Sequence, residues 1–308
     1  FRVQELAFRI GVSFGAVEVT PGIEVVDLIA AADRACREAK QSSGSHLVVF
    51  EHDSRALQEH EAEILLAGQL TASDELQGLY LEMQPIMSLR EPERSLNFEV
   101  LLRMRDAAGQ SVPTPRLITA AENSGRMGMI DRWVLRRVIM MLAERPRMPA
   151  VAVNLSGRSF DDPAMPGYIS DLLREHGVEP RRLLLEITET AAVSDLTDAQ
   201  RFIESIRKTG CRVCLDDFGA GFASFAYLKH LKVDAIKIDG MFIRDLAEDR
   251  ENQVFVRGML EVARGLGKET IAEFVEDVVV LELLKEMGID MAQGFYLDMP
   301  TAEHPALG

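Results

Sequence analysis

Eight short apolar runs alternate with amphipathic stretches from about residue 77 onward, and this alternation constrains the fold more than any other feature. Each run has the length of a buried strand, and most of the intervals between runs carry a helical stripe of apolar residues. The predicted strands are Leu79–Met83, Phe98–Leu102, Ala150–Asn154, Leu183–Ile187, Arg212–Asp216, Ala235–Asp239, Thr270–Glu273 and Asp290–Gln293. Eight strands that alternate with helices predict a (β/α)8 barrel.

One interval departs from this alternation. Only Gln84–Asn97 lies between the first two strands, and it contains Pro85 and Pro92 without a helical stripe. Because parallel strands need a long crossover connection, these two strands are predicted to pair antiparallel. The predicted fold class is therefore α/β, a modified (β/α)8 TIM-like barrel with one antiparallel strand.

A small α+β fragment precedes the barrel. Alternating apolar residues predict a strand at residues 8–14, an amphipathic helix at Val25–Lys40 and a second strand at Leu47–Phe50. We assign residues 51–76 to a connecting helix and residues 77–308 to the barrel domain. The chain begins at Phe1 without a methionine, so we expect a piece of a longer protein whose upstream segments could anchor it to a membrane.

Composition excludes some classes of partner. The formal net charge of −15 argues against binding a nucleic-acid polymer, which needs clustered basic residues. No apolar run approaches the ~20 residues that cross a bilayer, so we expect no membrane contact within this fragment. Three cysteines, an odd number, indicate a reducing compartment, and we predict a cytoplasmic location.

Seven predicted strands carry polar side chains, most of them at the carboxyl ends, which meet at the mouth of such a barrel. These candidate site residues are Glu99, Asn154, Glu186, Asp216, Asp217, Lys237, Glu273 and Gln293. Oxygen ligands without histidine or cysteine favour Mg²⁺, Mn²⁺ or Ca²⁺. The adjacent Asp216 and Asp217 suit two metal ions that share a carboxylate, an arrangement that can cleave a phosphodiester.

Two of these residues allow more than one role. Lys237 could hold a nucleophilic water or stabilise a developing oxyanion, and Glu273 could be a metal ligand, a general base or both. Strand-end acids with a lysine also fit enolase-type proton abstraction, in which Lys237 would be the base. That reading leaves Arg103 and the glycine-rich loop after Asp217 unexplained.

The motifs around these residues resemble a known family. Phe98–Met104 reads F-E-V-L-L-R-M and resembles the motif that names the EAL family of cyclic di-GMP phosphodiesterases, with Val100 in place of alanine. Further matches are Q-P-I at Gln84–Ile86, V-N-L-S at Val153–Ser156, E-I-T-E at Glu186–Glu189, D-D-F-G-A-G at Asp216–Gly221, K-I-D at Lys237–Asp239, A-E-F-V-E at Ala272–Glu276 and Q-G-F at Gln293–Phe295. Upstream, V-S-F-G-A-V at Val12–Val17 and A-A-D-R-A-C-R-E-A-K at Ala31–Lys40 resemble the final portion of a GGDEF (diguanylate cyclase) domain, so residues 1–50 are predicted to be its C-terminal remnant.

The resemblance implies hydrolysis of cyclic di-GMP to linear pGpG with two Mg²⁺ or Mn²⁺ ions, in a homodimer. It implies that Glu99, Asn154, Glu186 and Asp216 hold one metal, that Asp216 and Asp217 hold the second near Glu273, and that Lys237 orders the attacking water. The implied substrate contacts are Leu101, Arg103, Gln84 and Gln293, of which Gln293 would also help to place a water at the metal. Glu189 would anchor the loop after the fifth strand, which the family uses to couple dimer contacts to metal binding.

Two departures from the family pattern affect this reading. The family usually has glycine where this chain has Phe274, and Tyr-Ser-Ser-Leu where it has F-A-S-F at Phe222–Phe225. Neither replaces a ligand, so they bear on rate and regulation. The alternative function is a receptor that binds cyclic di-GMP without cutting it, because many EAL domains act in this way.

Overall fold

The computed structural model describes residues 2–3, 6–7, 13–19, 25–41, 47–50, 66–70, 76–90, 96–221, 225–302 and 304. Contacts between residues divide the chain into two units, Phe1–Gly68 and Gln69–Gly308. None of the described helices is both long enough and apolar enough to cross a membrane.

The described part of the first unit includes two small sheets and a long helix. Strands β1 (Arg2–Val3) and β2 (Leu6–Ala7) pair antiparallel. Strands β3 (Phe14–Val17) and β4 (Leu47–Phe50) pair parallel, as their connection through helix α1 (Val25–Gln41) allows. Residues 8–12 of the predicted first strand lie outside the described residues, as does most of the predicted connecting helix, of which residues 66–70 are helical.

The second unit is built on a closed sheet of eight strands with one short strand added. The nine strands are β5 (Leu79–Ser88), β6 (Leu96–Arg105), β7 (Ser111–Val112), β8 (Val151–Asn154), β9 (Leu183–Thr188), β10 (Arg212–Phe218), β11 (Ala235–Ile238), β12 (Glu269–Ala272) and β13 (Met291–Ala292). Strand β5 pairs antiparallel with both β6 and β13 and thereby closes the barrel, while strands β6 and β8 to β13 pair parallel. The predicted modified TIM-like barrel with one reversed strand is confirmed.

Helices surround this sheet in the predicted intervals. They are α2 (Thr114–Asn123), α3 (Met127–Glu144), α4 (Met165–His176), α5 (Glu189–Ser194), α6 (Leu196–Thr209), α7 (Gly240–Ile243), α8 (Arg250–Gly265) and α9 (Val278–Met287). Aspartates at positions 195, 249 and 277 cap α6, α8 and α9 by accepting hydrogen bonds from first-turn backbone N–H groups. The apolar face of each long helix is buried, as with Phe202, Ile203 and Ile206 of α6.

The barrel interior is layered, because inward-facing positions recur every two residues along a strand. One buried layer is apolar and consists of Ile86, Ala152, Leu184, Cys214, Ala235, Ile271 and Met291. On each strand, the residue two positions closer to the mouth is polar. These residues are Gln84, Asn154, Glu186, Asp216, Lys237, Glu273 and Gln293. The fold therefore places one layer of polar side chains directly above a buried apolar layer.

Candidate active site

Lys237 lies at the centre of the polar layer and is completely buried. Its Nζ atom is 2.7 Å from Glu273 Oε1, 3.0 Å from Glu99 Oε2, 3.4 Å from Asp216 Oδ1 and 3.5 Å from Glu186 Oε1. Four strands thus direct a carboxylate toward one ammonium group. If all five groups are ionised, the negative charge exceeds the positive charge, and the cluster is suited to hold additional cations.

Amide side chains hold Glu99 in this cluster. Asn154 Nδ2 donates to Glu99 Oε1 at 2.6 Å, and Gln293 Nε2 donates to Glu99 Oε2 at 2.8 Å. Gln293 Nε2 also donates to Gln84 Oε1 at 3.0 Å, while Gln84 Nε2 donates to the Asp298 carbonyl at 3.2 Å. Because Gln84 is paired directly with Glu99 across the antiparallel strands, the reversed strand supplies part of this network.

Burial and the lysine act in opposite directions on these groups. Burial alone would lower the pKa of Lys237, but the surrounding carboxylates raise it well above its usual value, so the ammonium keeps its charge. Burial favours the neutral form of Glu99, yet Lys237 and the hydrogen bonds from Gln293 and Asn154 prevail and lower its pKa. Burial raises the pKa of Glu186 well above the ordinary range, and Lys237 offsets only part of this effect.

Two acids of this cluster, Asp216 and Glu273, also form a group with Asp217, which is less buried. Carboxylate oxygens of Asp216, Asp217 and Glu273 lie within 4.8 Å of one another. Burial raises the pKa of Asp217 to about 6, and the charges of Asp216 and Asp239 add to the shift. Burial also raises the pKa of Glu273 to about 8, against the opposing effect of Lys237. Protonation at these sites relieves the repulsion that a divalent cation would relieve more strongly.

The donor set fits divalent metal ions of the magnesium type. Both Glu186 oxygens and Gln293 Oε1 are buried and have no hydrogen-bond partner among the described residues. An unsatisfied buried carboxylate is costly, and a cation beside it would remove that cost. The ring of oxygen donors, without histidine or cysteine, matches the preference of Mg²⁺ and Mn²⁺.

A pocket of about 250 Å³ opens over this cluster. Its walls include Gln84, Glu99, Leu101, Arg103, Glu273, Phe274, Glu276, Gln293, Phe295 and Pro300. The Arg103 guanidinium is held by Glu82 at 2.9 Å and by Thr114 Oγ1 at 3.2 Å, so it presents a fixed positive charge beside the acids. The pocket therefore combines a cation for an anionic ligand, acids for metal ions and apolar walls.

Comparison with known proteins identifies the family. The model of the EAL domain matches residues 68–300, which is most of the chain. This chain belongs to the EAL domain family. It is 32% identical over 299 residues to the cyclic di-GMP phosphodiesterase PdeB of Shewanella oneidensis, covering 96% of this chain and 35% of PdeB. It is 31% identical over 241 residues to the cyclic di-GMP phosphodiesterase PdeF of Escherichia coli, covering 77% of this chain and 32% of PdeF. The chain spans about a third of the length of these two relatives.

Solved EAL domain structures share the fold. The FimX EAL domain of Pseudomonas aeruginosa bound to c-di-GMP matches with a TM-score of 0.73 and 34% identity, over 77% of this chain and 97% of that domain. The phosphodiesterase PaMucR in complex with c-di-GMP matches with a TM-score of 0.71 and 29% identity, over 77% of this chain and 97% of PaMucR.

Two residues of this EAL domain have a left-handed backbone at the mouth. Asp217 and Phe274 both have φ of 54°, although neither is glycine. A left-handed backbone is costly for a side chain with a Cβ, so glycine would be free of this cost at position 274. The Phe274 ring packs against Gly240, where an added Cβ would be 2.1 Å from the ring, and the Arg244 guanidinium lies 4.2 Å from its centroid.

Glu189 contacts the loop that follows β10, the loop it is predicted to anchor. The backbone N–H of Gly219 donates to Glu189 Oε2 at 2.8 Å, and the Tyr227 hydroxyl donates to Glu189 Oε1. Tyr227 is buried, and Phe225 stacks on Phe218 with 5.3 Å between ring centroids. These two aromatic residues therefore pack within the barrel domain and give no independent support for a dimer face; residues 222–224 lie outside the described residues.

Several supporting residues were not predicted from the sequence. Glu82 pairs with Arg103, and the sequence marks it only by its position on the neighbouring strand, opposite Leu101. Asp131 of α3 is buried and accepts hydrogen bonds from the Ser156 and Ser159 hydroxyls at 2.6 and 2.7 Å. It thereby fixes the loop that begins directly after Asn154. A buried acid on an otherwise apolar helix face is the signal that would have revealed it.

Proposed function

We propose that this chain hydrolyses one phosphodiester bond of cyclic di-GMP and releases linear pGpG. The observation that carries the proposal is the cluster of Asp216, Asp217 and Glu273, two of which contact the Lys237 ammonium, beneath a pocket that contains Arg103. PdeB and PdeF, which carry the name of this activity, support it, and so does the FimX EAL domain with its bound c-di-GMP.

Two divalent cations, Mg²⁺ or Mn²⁺, belong to this proposal. Glu99, Asn154, Glu186 and Asp216 would hold one ion, and Asp216 and Asp217 would hold the other, with Glu273 nearby. When bound, such ions neutralise charge on the phosphoryl oxygens and make water a stronger nucleophile. The unsatisfied oxygens of Glu186 support the assignment.

The side chains of this chain have distinct roles in the proposal. Lys237 keeps its proton because carboxylates surround it, so it donates hydrogen bonds and holds the attacking water. A lysine in this state does not act as a base, which weighs against enolase-type proton abstraction. Glu273 Oε1 lies 2.7 Å from Lys237 Nζ, so its carboxylate would lie within reach of a water held there and would accept a proton from it.

Substrate binding is assigned to the pocket walls. Arg103, fixed by Glu82, would pair with a phosphate, and Leu101 would contact the dinucleotide. Gln84 and Gln293 donate and accept within one amide network and would place polar groups of the substrate beside Glu99.

The molecular setting is part of the same proposal. Residues 1–50 would be the C-terminal remnant of a GGDEF-like domain, and the parallel β3–α1–β4 unit is compatible with this origin. The EAL domain would act as a homodimer in the cytoplasm of a bacterial cell, in second-messenger signalling.

Chromatography of reaction products tests the proposal. Purified protein is incubated with cyclic di-GMP and Mg²⁺, and a parallel sample contains EDTA. We expect pGpG only with the metal, and we expect Asp217→Asn to lower turnover by at least about 100-fold. Asp171→Asn is the matched control, because it makes the same chemical change at an exposed residue of α4 that pairs with Arg174 and does not line the pocket.

Each alternative has its own outcome. Intact cyclic di-GMP that co-elutes with the protein would indicate a receptor in place of an enzyme. If the protein neither cleaved nor bound cyclic di-GMP, the proposed function would be rejected. Full activity of Asp217→Asn would show that the metal assignment is wrong.

A further inference from the structure

A second large cavity lies at the other end of the barrel, where the parallel strands begin. Its volume is about 730 Å³, within the range of roughly 300–1,000 Å³ that small-molecule sites occupy. Six basic and two acidic side chains line it: Arg181, Arg207, Arg212, Lys229, Lys232, Lys268, Asp234 and Glu269. This excess of positive charge stands out in a chain whose formal net charge is −15.

The fold gathers these cations from segments distant in sequence. Arg181 precedes β9, Arg212 is the first residue of β10, and Lys268 directly precedes β12. Lys229 and Lys232 lie in the segment that leads to β11. The cations thus lie around the start of neighbouring strands, at the opposite end from the acidic mouth.

Acidic side chains neutralise only part of this charge. Arg212 pairs with Glu269, Arg207 with Asp234 at 3.3 Å, and Lys232 with Glu204 at 2.7 Å. Within the described ranges, Arg181 and Lys229 have no acidic partner, and both are exposed. Two cations are therefore free to meet an anion from solvent.

Lys268 adds a third positive charge deeper in the cavity. Its Nζ atom donates to the carbonyl oxygens of Leu231 and Val233, each at 3.0 Å, and makes no ion pair among the described residues. Burial lowers the pKa of Lys268, and the nearby Arg207 guanidinium lowers it further, against the effect of Asp234. An anion in the cavity would relieve this crowding of cations.

Apolar side chains complete the lining. Leu228, Leu231 and Val233 back the wall from the buried core, and Leu266, which is 38% exposed, presents an apolar side chain to the cavity. A ligand that satisfies both features carries several negative charges and also has a nonpolar part. A phosphorylated compound of nucleotide size has this combination, and it fits the volume.

We propose that this amino-end cavity binds a nucleoside polyphosphate or a small molecule of the same chemistry. The ligand's phosphates lie against Arg181, Lys229 and Lys268, and its nonpolar part lies against Leu266. The site is separate from the acidic mouth, so it does not depend on the proposed hydrolysis.

Isothermal titration calorimetry with ATP, inorganic triphosphate and adenosine tests this site, in EDTA so that metal ions cannot bridge the nucleotide to the mouth. We expect ATP to bind most tightly, triphosphate more weakly and adenosine not measurably. Affinity for ATP should fall as salt increases, because screening weakens exposed charge contacts.

The variant for the test is Arg181→Glu with Lys229→Glu, since neither side chain has an ion-pair partner among the residues that the structure describes. We expect it to weaken ATP binding at least about tenfold. The matched control is Lys208→Glu with Arg257→Glu, which makes the same change in net charge at exposed helix positions outside the cavity. Circular dichroism and thermal unfolding establish that both variants fold.

Several results would overturn the proposal. One is no binding of ATP or triphosphate; another is equal weakening in the cavity and control variants. Adenosine that binds as tightly as ATP would show that the cations play no part. Binding to anionic phospholipid vesicles or an acidic peptide, without binding to ATP, would assign the basic surface to a macromolecule instead.

Discussion

The two ends of the barrel carry opposite charges in opposite environments. At the mouth, acids and one lysine are buried on inward-facing strand positions, with Lys237 and Glu186 completely enclosed. At the amino end, cations lie on loops and strand starts, and pairs such as Arg212 with Glu269 are partly exposed. Water screens the second set far more than the first. Burial, more than the number of charges, therefore determines how much one charge contributes to stability.

Removal of the central lysine gives the largest expected effect. Lys237→Met preserves most of the side-chain volume but leaves four buried carboxylates without their cation. We expect the free energy of unfolding to fall by about 3–5 kcal/mol in metal-free buffer, measured by urea denaturation. We also expect turnover to be lost while cyclic di-GMP binding is largely retained.

Added Mg²⁺ provides the control for this prediction. A cation in the cluster would replace part of the missing charge, so it should restore more stability to Lys237→Met than to the unaltered protein. An unchanged free energy of unfolding in Lys237→Met would contradict the view that burial makes this charge essential.

The stability of the mouth should also depend on pH and metal together. Asp217 and Glu273 have pKa values of about 6 and about 8, above the ordinary values of 3.8 and 4.5. A raised carboxyl pKa in the folded state means that the folded protein binds protons more tightly than the unfolded chain. The metal-free protein therefore loses stability as pH rises from the ordinary values to the raised ones, between about pH 4 and about pH 8.

Metal binding should reverse this trend, because the ligands must lose their protons first. We expect Mg²⁺ to raise the melting temperature more at about pH 8.5 than at about pH 5.5. Differential scanning calorimetry with and without Mg²⁺ measures both values. An equal increase in melting temperature at the two pH values would show that Asp217 and Glu273 do not bind the metal.

The sequence predicted the barrel and the polar layer because both depend on a period of two residues along buried strands. Glu186, Asp216, Lys237 and Glu273 are identifiable in this way, since each lies near the carboxyl end of an apolar run, and Glu99 is a lone acid within such a run. The reversed strand was predictable for a similar local reason, because its connection to the next strand is too short for a crossover.

Contacts between distant segments could not be predicted in the same manner. Arg181, Lys229 and Lys268 are separated by long stretches of chain, and no spacing rule marks them as neighbours. The left-handed backbone of Phe274 is also invisible, because phenylalanine does not signal such a conformation as glycine, asparagine or aspartate does. The loop geometry and the grouping of distant charges are therefore visible only in the folded structure.

Phe274→Gly tests a smaller effect at the mouth. Glycine relieves the left-handed backbone, which costs a residue with a Cβ about 1 kcal/mol, but it removes the ring from Arg244 and Gly240. We expect the free energy of unfolding to change by less than about 1 kcal/mol. Because Phe274 forms part of the pocket wall, we expect a higher KM with kcat nearly unchanged.

Phe274→Leu is the matched variant, since leucine keeps the backbone strain without the aromatic ring. It should be less stable than Phe274→Gly and should share its higher KM. If kcat fell in both variants and KM did not change, Phe274 would act on the chemical step, and the pocket-wall interpretation would be wrong.

Arg212→Met gives the smallest expected effect and makes the comparison between the ends quantitative. Like Lys237→Met it replaces a cation with an uncharged side chain, but Arg212 and Glu269 are partly exposed. Exposed ion pairs contribute about 0–1 kcal/mol, so the free energy of unfolding should change by no more than this amount. Since Glu269 can be hydrated once its partner is gone, no buried charge is left unpaired. A loss in Arg212→Met as large as that in Lys237→Met, measured by the same urea denaturation, would show that burial does not separate the two ends.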